Sequence, residues 1–344
     1  MKAAYLIHPK TIEIREVAVP QPGPGQVLVR VRAVGVCGSD VHYYLEGRIG
    51  DSIATEPHIM GHEFAGEIAA LGAGVTGLRV GQLVAVEPAI SCGHCELCRE
   101  GHPNLCLHIR FMSVPPDQGA LAEYVLVEPE RCFPLPEGLT AEDGAMLEPL
   151  GVALHTMRLA KMLIGDTVAV VGCGPIGLLV LQLVRASGGL NLFATDKLDY
   201  RLEYARRYGA RTVVNVDRED PVARLAEVTG GRGADLVIEA SGSVEGPEQA
   251  VRLVRNGGKV LLIGIPAEDE LTMTAGIVRR KGLTIKMVRR MKHTYPRAIA
   301  LAQAGMVDLR SMVTHRFSLE DAGRAFDLVA EEGDGVVKAM VAIG

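Results

Sequence analysis

The chain is 344 residues long, more than one average domain, so two domains are expected, each with its own core. Its 48% hydrophobic and 22% charged residues are those of a folded protein and exclude a disordered tail or a fibrous repeat. A net charge of −5 offers no basic excess for nucleic acid or an anionic membrane surface, and a small ligand is expected instead. Forty glycines are roughly 12% of the chain against an average near 7%, so many backbone sites need positive φ or close approach. Of seven cysteines, four crowd between Cys92 and Cys106, which indicates metal chemistry in a reducing, cytoplasmic setting rather than a disulfide framework. Residues 1–14 lack the apolar core and cleavage site of a signal peptide.

In chain order, the first 150 residues hold short β-rich runs, such as 27–34 and 83–86, punctuated by prolines and single glycines between 20 and 25. This predicts an irregular, mostly β domain. The most membrane-like stretch, 167–184, is broken by Gly172, Gly174, Pro175 and Gly177, which predicts a buried strand, a tight turn and a helix rather than a span. From Asp166 the apolar runs 168–171, 192–195, 236–239 and 260–263 alternate with stretches of helical character. That is the pattern of an α/β domain with a doubly wound parallel sheet. The alternation stops after about Arg290, and a helix over 319–330 and a strand over 336–343 close the chain. Residues 278–293 carry seven Lys or Arg, and the alternation of Leu283, Ile285 and Met287 with Thr284, Lys286 and Val288 predicts a solvated strand edge.

Gly172-Cys173-Gly174-Pro175-Ile176-Gly177 follows the strand at 168–171 and opens a helix, the context a dinucleotide-binding turn requires. Gly172 permits the turn, Gly174 lets a pyrophosphate approach, and Gly177 lets helix and strand pack closely. Pro175 suits the first helical turn, where no amide donor is needed. The next strand ends in Asp196, an acid placed to accept from the ribose hydroxyls and to repel a 2′-phosphate, which favours NAD over NADP. Lys197 and Arg201 stand close enough in sequence to counter that repulsion.

Two groups of residues suit metals. Cys92, Cys95, Cys98 and Cys106 supply four thiolates within 15 residues, enough for a closed tetrahedral zinc site. The competing iron–sulfur reading fits less well, because the last gap is seven residues and Leu107, not proline, follows. Cys37, His62, Glu63 and Glu148 form a dispersed set of mixed S, N and O donors, as a catalytic zinc with an open position needs. His62 and Glu63 can face one ion only at a bend, for which Gly61 and Gly66 are candidates.

The run Gly61-His62-Glu63-x2-Gly66-x5-Gly72-x2-Val75 resembles the zinc-containing alcohol dehydrogenase signature of the medium-chain dehydrogenase/reductase family. The cysteine lobe and the glycine turn stand in that family's order, so the resemblance spans the chain. The segment from Cys37 to Gly50, Pro115-Pro116-Asp117-x-Gly119, Glu148-Pro149-Leu150 and Val313-Thr-His-Arg-Phe317 are similar to sorbitol and xylitol dehydrogenases. The resemblance implies a GroES-like, mostly β catalytic domain made of residues 1–150 and 291–344, with a Rossmann coenzyme domain at 151–290. It implies about two zinc ions per subunit, one catalytic and one structural, NAD as cofactor, and a homotetramer.

Carried over residue by residue, the resemblance makes Cys37, His62 and Glu63 the catalytic zinc ligands, with Glu148 holding the water or substrate and able to enter the ligand set. Ser39 and His42 fall where a proton is relayed, Asp40 where a carboxylate orients the histidine, and Tyr43 and Arg290 where substrate is touched. Ile176, Asp196, Arg201, Ile263, Gly264, Ile265, Val288, Arg289 and Arg290 match cofactor contacts. Met291 replaces an aromatic residue of the animal sorbitol enzymes, which also lack the cysteine lobe. Cys132 and Cys173 match no ligand position and are expected to pack. The implied reaction is oxidation of a polyol's secondary alcohol to a ketose with hydride transfer to NAD. L-threonine 3-dehydrogenase, another zinc alcohol or butanediol dehydrogenase, and a cofactor-binding protein without catalysis are the alternatives.

Overall fold

The structure is a computed structural model and describes residues 1–344 apart from Thr55, Glu56, Ala267 and Asp269. The chain forms two compact units, Met1–Glu148 with Tyr295–Gly344, and Pro149–Thr294.

The first unit is built on the strand Val27–Gly35, whose run of Val and Ala is buried on both faces. Its sheet runs in the order Cys132–Pro134, Leu83–Val86, Glu63–Leu71, Val27–Gly35, Lys338–Ala342, Val313–Ser318, with Tyr124–Val127 also paired to Val27–Gly35. All these pairs are antiparallel except that of Val313–Ser318 with Lys338–Ala342. The end of the chain thus supplies a central strand beside Val27–Gly35, which places Lys338 in the same sheet as Glu63. Val29, Val31, Phe64, Ile68, Val84 and Phe326 share one core.

Gly66 is not part of the bend suggested for it. It lies inside Glu63–Leu71, where a Cβ would fall 2.1 Å from the Arg30 carbonyl oxygen, so it serves close strand approach. Gly61 alone makes the bend, with φ +92°.

The second unit has six parallel strands in the spatial order Thr212–Asn215, Asn191–Asp196, Thr167–Val171, Ala234–Glu239, Val254–Leu262, Thr284–Met287. Numbered along the chain this order is 3-2-1-4-5-6, so the winding reverses between the first and fourth strands, the place where such sheets open a ligand crevice. The Val254–Leu262 strand ends one residue short of the expected Ile263, because the Ile263 and Gly264 amides both donate to the Glu239 carbonyl at 2.9 and 3.2 Å. The basic run at 278–293 is only in part a strand edge. Residues Ala275–Lys281 are helical, and Lys281 Nζ donates to the carbonyls of Val251, Arg252 and Val254 at the end of the preceding helix. Near the C-terminus the helix begins at Ala322, three residues later than the sequence suggests, after a turn in which Asp321 N donates to Ser318 Oγ. Among the described residues no helix is long and apolar enough to cross a membrane.

Candidate metal and dinucleotide sites

Cys37 ends the segment after Val27–Gly35 and stands at the N-terminus of the helix Gly38–Glu46. Glu63 opens the neighbouring strand Glu63–Leu71 and pairs there with Gly35, and His62 stands in the bend just before it. A Cβ on Gly35 would fall 2.2 Å from Glu63 Oε2, so glycine there makes room for the carboxylate. The Cys37 sulfur, a His62 ring nitrogen and a Glu63 oxygen lie within 4.8 Å of one another. Three side-chain donors, S, N and O, suit a catalytic zinc, which takes about three protein ligands and keeps a further position for water or substrate.

The surroundings orient each donor. Asp40 Oδ2 faces His62 Nδ1 at 3.1 Å, which leaves Nε2 as the ligand nitrogen. Burial disfavours a charged His62, but the Asp40 carboxylate and Cys37 outweigh it and lift its pKa well above the ordinary value in the metal-free chain. The His62 ring also packs on Phe111, with centroids 5.2 Å apart. Glu63 is held by Lys338, whose Nζ donates to Oε1 at 2.9 Å and Oε2 at 2.6 Å and to the Val36 carbonyl at 3.1 Å. Burial opposes the Lys338 charge, and Glu63 and Cys37 raise its pKa nonetheless. Neither Lys338 nor Phe111 carries a local sequence signal, since their partners are set by sheet order and packing.

Glu148 is buried at the start of the helix Leu147–Ala160 and stands outside the three-residue ligand cluster, although its charge reaches Lys338. Ser39 and His42 occupy the first turns of Gly38–Glu46, both half-buried, and Ser39 Oγ donates to the Cys37 sulfur at 3.3 Å. Tyr43 is buried on that helix, and its hydroxyl donates to Ser52 Oγ at 2.7 Å. Arg290 belongs to the second unit and has a left-handed backbone, φ 54°.

The sulfurs of Cys92, Cys95, Cys98 and Cys106 converge within 4.8 Å, and all seven cysteines are free of disulfides. Backbone amides of Cys92 and His108 donate to the Cys106 sulfur, and that of Cys95 to the Cys92 sulfur, each at 3.3 Å. Amides of Cys98 and Leu107 bring the Cys95 thiol down to about 6, whereas burial and the neighbouring sulfurs push Cys98 up to about 12. Cys98 is thus the thiol hardest to ionise beside its neighbours, a cost that a bound divalent cation offsets. Cys132 and Cys173 are buried elsewhere.

In the second unit, Gly172 has φ +89° and its missing side chain lets Ser241 lie against the turn, since a Cβ would be 2.5 Å from Ser241 Cα. Gly174 is the residue before the helix Pro175–Ala186, with open space around it, and Pro175 is the first helical residue. A Cβ on Gly177 would be 1.9 Å from the Gly172 carbonyl oxygen, so helix and turn touch backbone to backbone. This leaves a helix N-terminus facing open space, which suits a pyrophosphate. Asp196 accepts from Cys173 N at 2.7 Å and Leu198 N at 2.9 Å, which ties the acidic strand end to the glycine turn. Arg201 lies on the following helix over the Tyr200 ring, and Ile176 is in the first turn of Pro175–Ala186.

Glu239 is a residue that reading the motifs missed. It is buried at the end of its strand, and its Oε1 accepts from Ser241 N, Gly242 N and Ser241 Oγ at 2.7, 3.2 and 2.6 Å. A Cβ on Gly264 would meet Gly242 N and Glu239 Oε2, so the loops after the fourth and fifth strands close around this carboxylate, with Ile263 and Ile265 flanking Gly264. Val288 and Arg289 follow the sixth strand, and Val288 N donates to the Leu262 carbonyl at 2.8 Å.

Residues 23–137 match the family model of the alcohol dehydrogenase GroES-like domain, and residues 175–304 that of the zinc-binding dehydrogenase. The chain is 36% identical over 341 residues to a sorbitol dehydrogenase of Bacillus subtilis, covering 99% of this chain and 97% of the relative. It is also 36% identical over 324 residues to an L-threonine 3-dehydrogenase of Bacillus licheniformis, covering 93% of each. A solved structure from Sinorhizobium meliloti 1021, assigned as a zinc-binding dehydrogenase and bound to NADP, has a TM-score of 0.91 at 32% identity and covers 99% of this chain and 98% of that one.

Proposed function

Because the chain belongs to the zinc-containing medium-chain dehydrogenase/reductase family, we propose that it oxidises a secondary alcohol of a polyol such as sorbitol or xylitol to the ketose, with NAD as hydride acceptor. The family makes it an oxidoreductase that uses zinc and a nicotinamide cofactor. The observation that carries the reading is the convergence of Cys37, His62 and Glu63 with Asp40 behind the imidazole. When bound, zinc supplies a Lewis acid that makes a hydroxyl acidic near neutral pH, and the nicotinamide supplies the acceptor for the hydride.

The chain's own groups do the rest. Asp40 holds the His62 tautomer. Ser39 and His42 carry the hydroxyl proton away from the site toward solvent. Glu148 presents a carboxylate that accepts from the substrate hydroxyl or a water. Lys338 keeps Glu63 turned toward Cys37 by binding both of its oxygens. Cys92, Cys95, Cys98 and Cys106 hold a second, structural zinc that closes a loop with little core of its own.

Asp196 supports NAD, because a carboxylate at the strand end accepts from ribose hydroxyls and repels a 2′-phosphate. The Sinorhizobium structure with NADP makes this choice a matter for measurement. A panel of sorbitol, xylitol, iditol, ribitol, arabitol, butanediol and L-threonine, each with NAD and with NADP, tests the proposal by absorbance of the reduced nicotinamide. Highest kcat/KM on a polyol with NAD is expected. Turnover of L-threonine or butanediol above every polyol would overturn the substrate assignment.

A further inference from the structure

Ser113 follows the short strand Arg110–Phe111 and is 1% exposed, yet its backbone lies in the left-handed region with φ 72°. A left-handed backbone disfavours any residue with a Cβ and suits glycine. A side chain kept at such a position points to a use for it.

That use is visible in its contacts. Ser113 Oγ donates to Asp40 Oδ1, the carboxylate whose other oxygen faces His62 Nδ1. The same Oγ accepts from the backbone N–H of Gly61 at 3.0 Å, the residue just before His62. Gly61 is itself left-handed and hemmed in, since a Cβ there would be 2.7 Å from Val34. The Ser113 carbonyl faces His58 Nε2 at 3.1 Å, which fixes the serine from its other side.

We propose that Ser113 is a positioning residue for the metal-binding imidazole of His62, acting on the ring through Asp40 and on its backbone through Gly61. The proposal rests on the reading of Cys37, His62 and Glu63 as zinc ligands. One hydroxyl stops the Asp40 carboxylate from turning about its side-chain bond and satisfies a buried amide next to the ligand. Without it, Asp40 keeps one partner fewer and the Gly61 amide is left without this acceptor, so the imidazole is held less firmly for the ion.

The test compares Ser113→Ala with Ser113→Gly. Alanine removes the hydroxyl and keeps the unfavourable backbone, whereas glycine removes the hydroxyl and relieves the backbone. Zinc affinity of each full-length protein is measured by competition with a chromophoric chelator, and the site is loaded with cobalt to read its ligand-field spectrum. Both variants are expected to bind the ion at Cys37, His62 and Glu63 about 10–100-fold more weakly, with an altered cobalt spectrum and unchanged affinity at the four-cysteine lobe. Zinc-free Ser113→Gly is expected to melt no lower than Ser113→Ala. Wild-type affinity in both variants, or loss in Ser113→Ala that Ser113→Gly restores, would overturn the role of the hydroxyl alone. A wild-type chain that takes up zinc only at the lobe would overturn the metal reading, and this role with it.

Discussion

Replacing Lys338 with Met tests what the ion pair with Glu63 contributes inside the first unit. The Lys338 and Glu63 side chains are both 2% exposed, and the ammonium makes three bonds, two to the carboxylate and one to the Val36 carbonyl. Methionine keeps the apolar stem and removes the charge. Removing one partner of a buried ion pair costs about 3–5 kcal/mol, because the other charge is left without compensation. For a unit of about 200 residues that corresponds to a fall in Tm of roughly 6–20 °C. The loss is expected in full in chelator-treated protein. It is expected to be smaller with zinc present, because a cation beside Glu63 takes over part of the neutralising role. Calorimetry of wild type and Lys338→Met, each with zinc and with chelator, reads both effects. Equal Tm values for the two chelator-treated proteins, or a larger loss with zinc than without, would refute the assignment of Lys338 as the ion-pair partner that holds Glu63 as a ligand.

Cys98→Ser is expected to lower Tm and the yield of assembled protein while leaving zinc at Cys37, His62 and Glu63, as metal analysis would show; a brown wild-type protein containing iron and sulfide would instead overturn zinc in the lobe. Asp196→Ala removes a charged acceptor worth about 1.5–3 kcal/mol per bond, so the ratio of kcat/KM with NAD to that with NADP is expected to fall roughly tenfold or more, and an unchanged ratio would contradict its role. Asp235 is held below its ordinary 3.8 chiefly by Arg232, with Arg255 and the Thr167 amide adding to it against burial. A carboxylate with a depressed folded pKa stabilises above its unfolded value and loses that contribution as pH falls through its folded one. The stability gap between wild type and Asp235→Asn is therefore expected to be constant above about pH 5 and to narrow below pH 4, and a gap independent of pH down to 3 would contradict the pairing.

What could be read from the sequence is what the chain places close along itself. The glycine turn needs Gly172, Gly174 and Gly177 within six residues, and the cysteine lobe closes within 15, so spacing alone carries their geometry. Residue types alone suggested Cys37, His62, Glu63 and Glu148 as one donor set, but the narrowing to Cys37, His62 and Glu63 came through resemblance, because their convergence depends on the pairing of Val27–Gly35 with Glu63–Leu71. Lys338 was not legible at all. It lies 275 residues from Glu63 and meets it only because the last strand enters the middle of the first unit's sheet. Ser113 and Glu239 escaped notice for the same reason, since a serine in a turn and an acid at a strand end are common until their partners are known. The basic run misled because alternation at 283–288 masked the helix before it, whose last lysine ends on backbone carbonyls rather than in solvent.

The zinc content of Cys37→Ser beside that of wild type bears most directly on the claim that the three-residue cluster is the catalytic metal site and the cysteine lobe a separate structural one. Serine is a poor substitute for a thiolate ligand. Wild type is expected to carry about two zinc ions per chain, as one closed and one open site require, and Cys37→Ser one, with the reduced nicotinamide still bound and turnover lost. A Cys37→Ser protein that keeps both ions and oxidises the same substrates at the wild-type rate would contradict it.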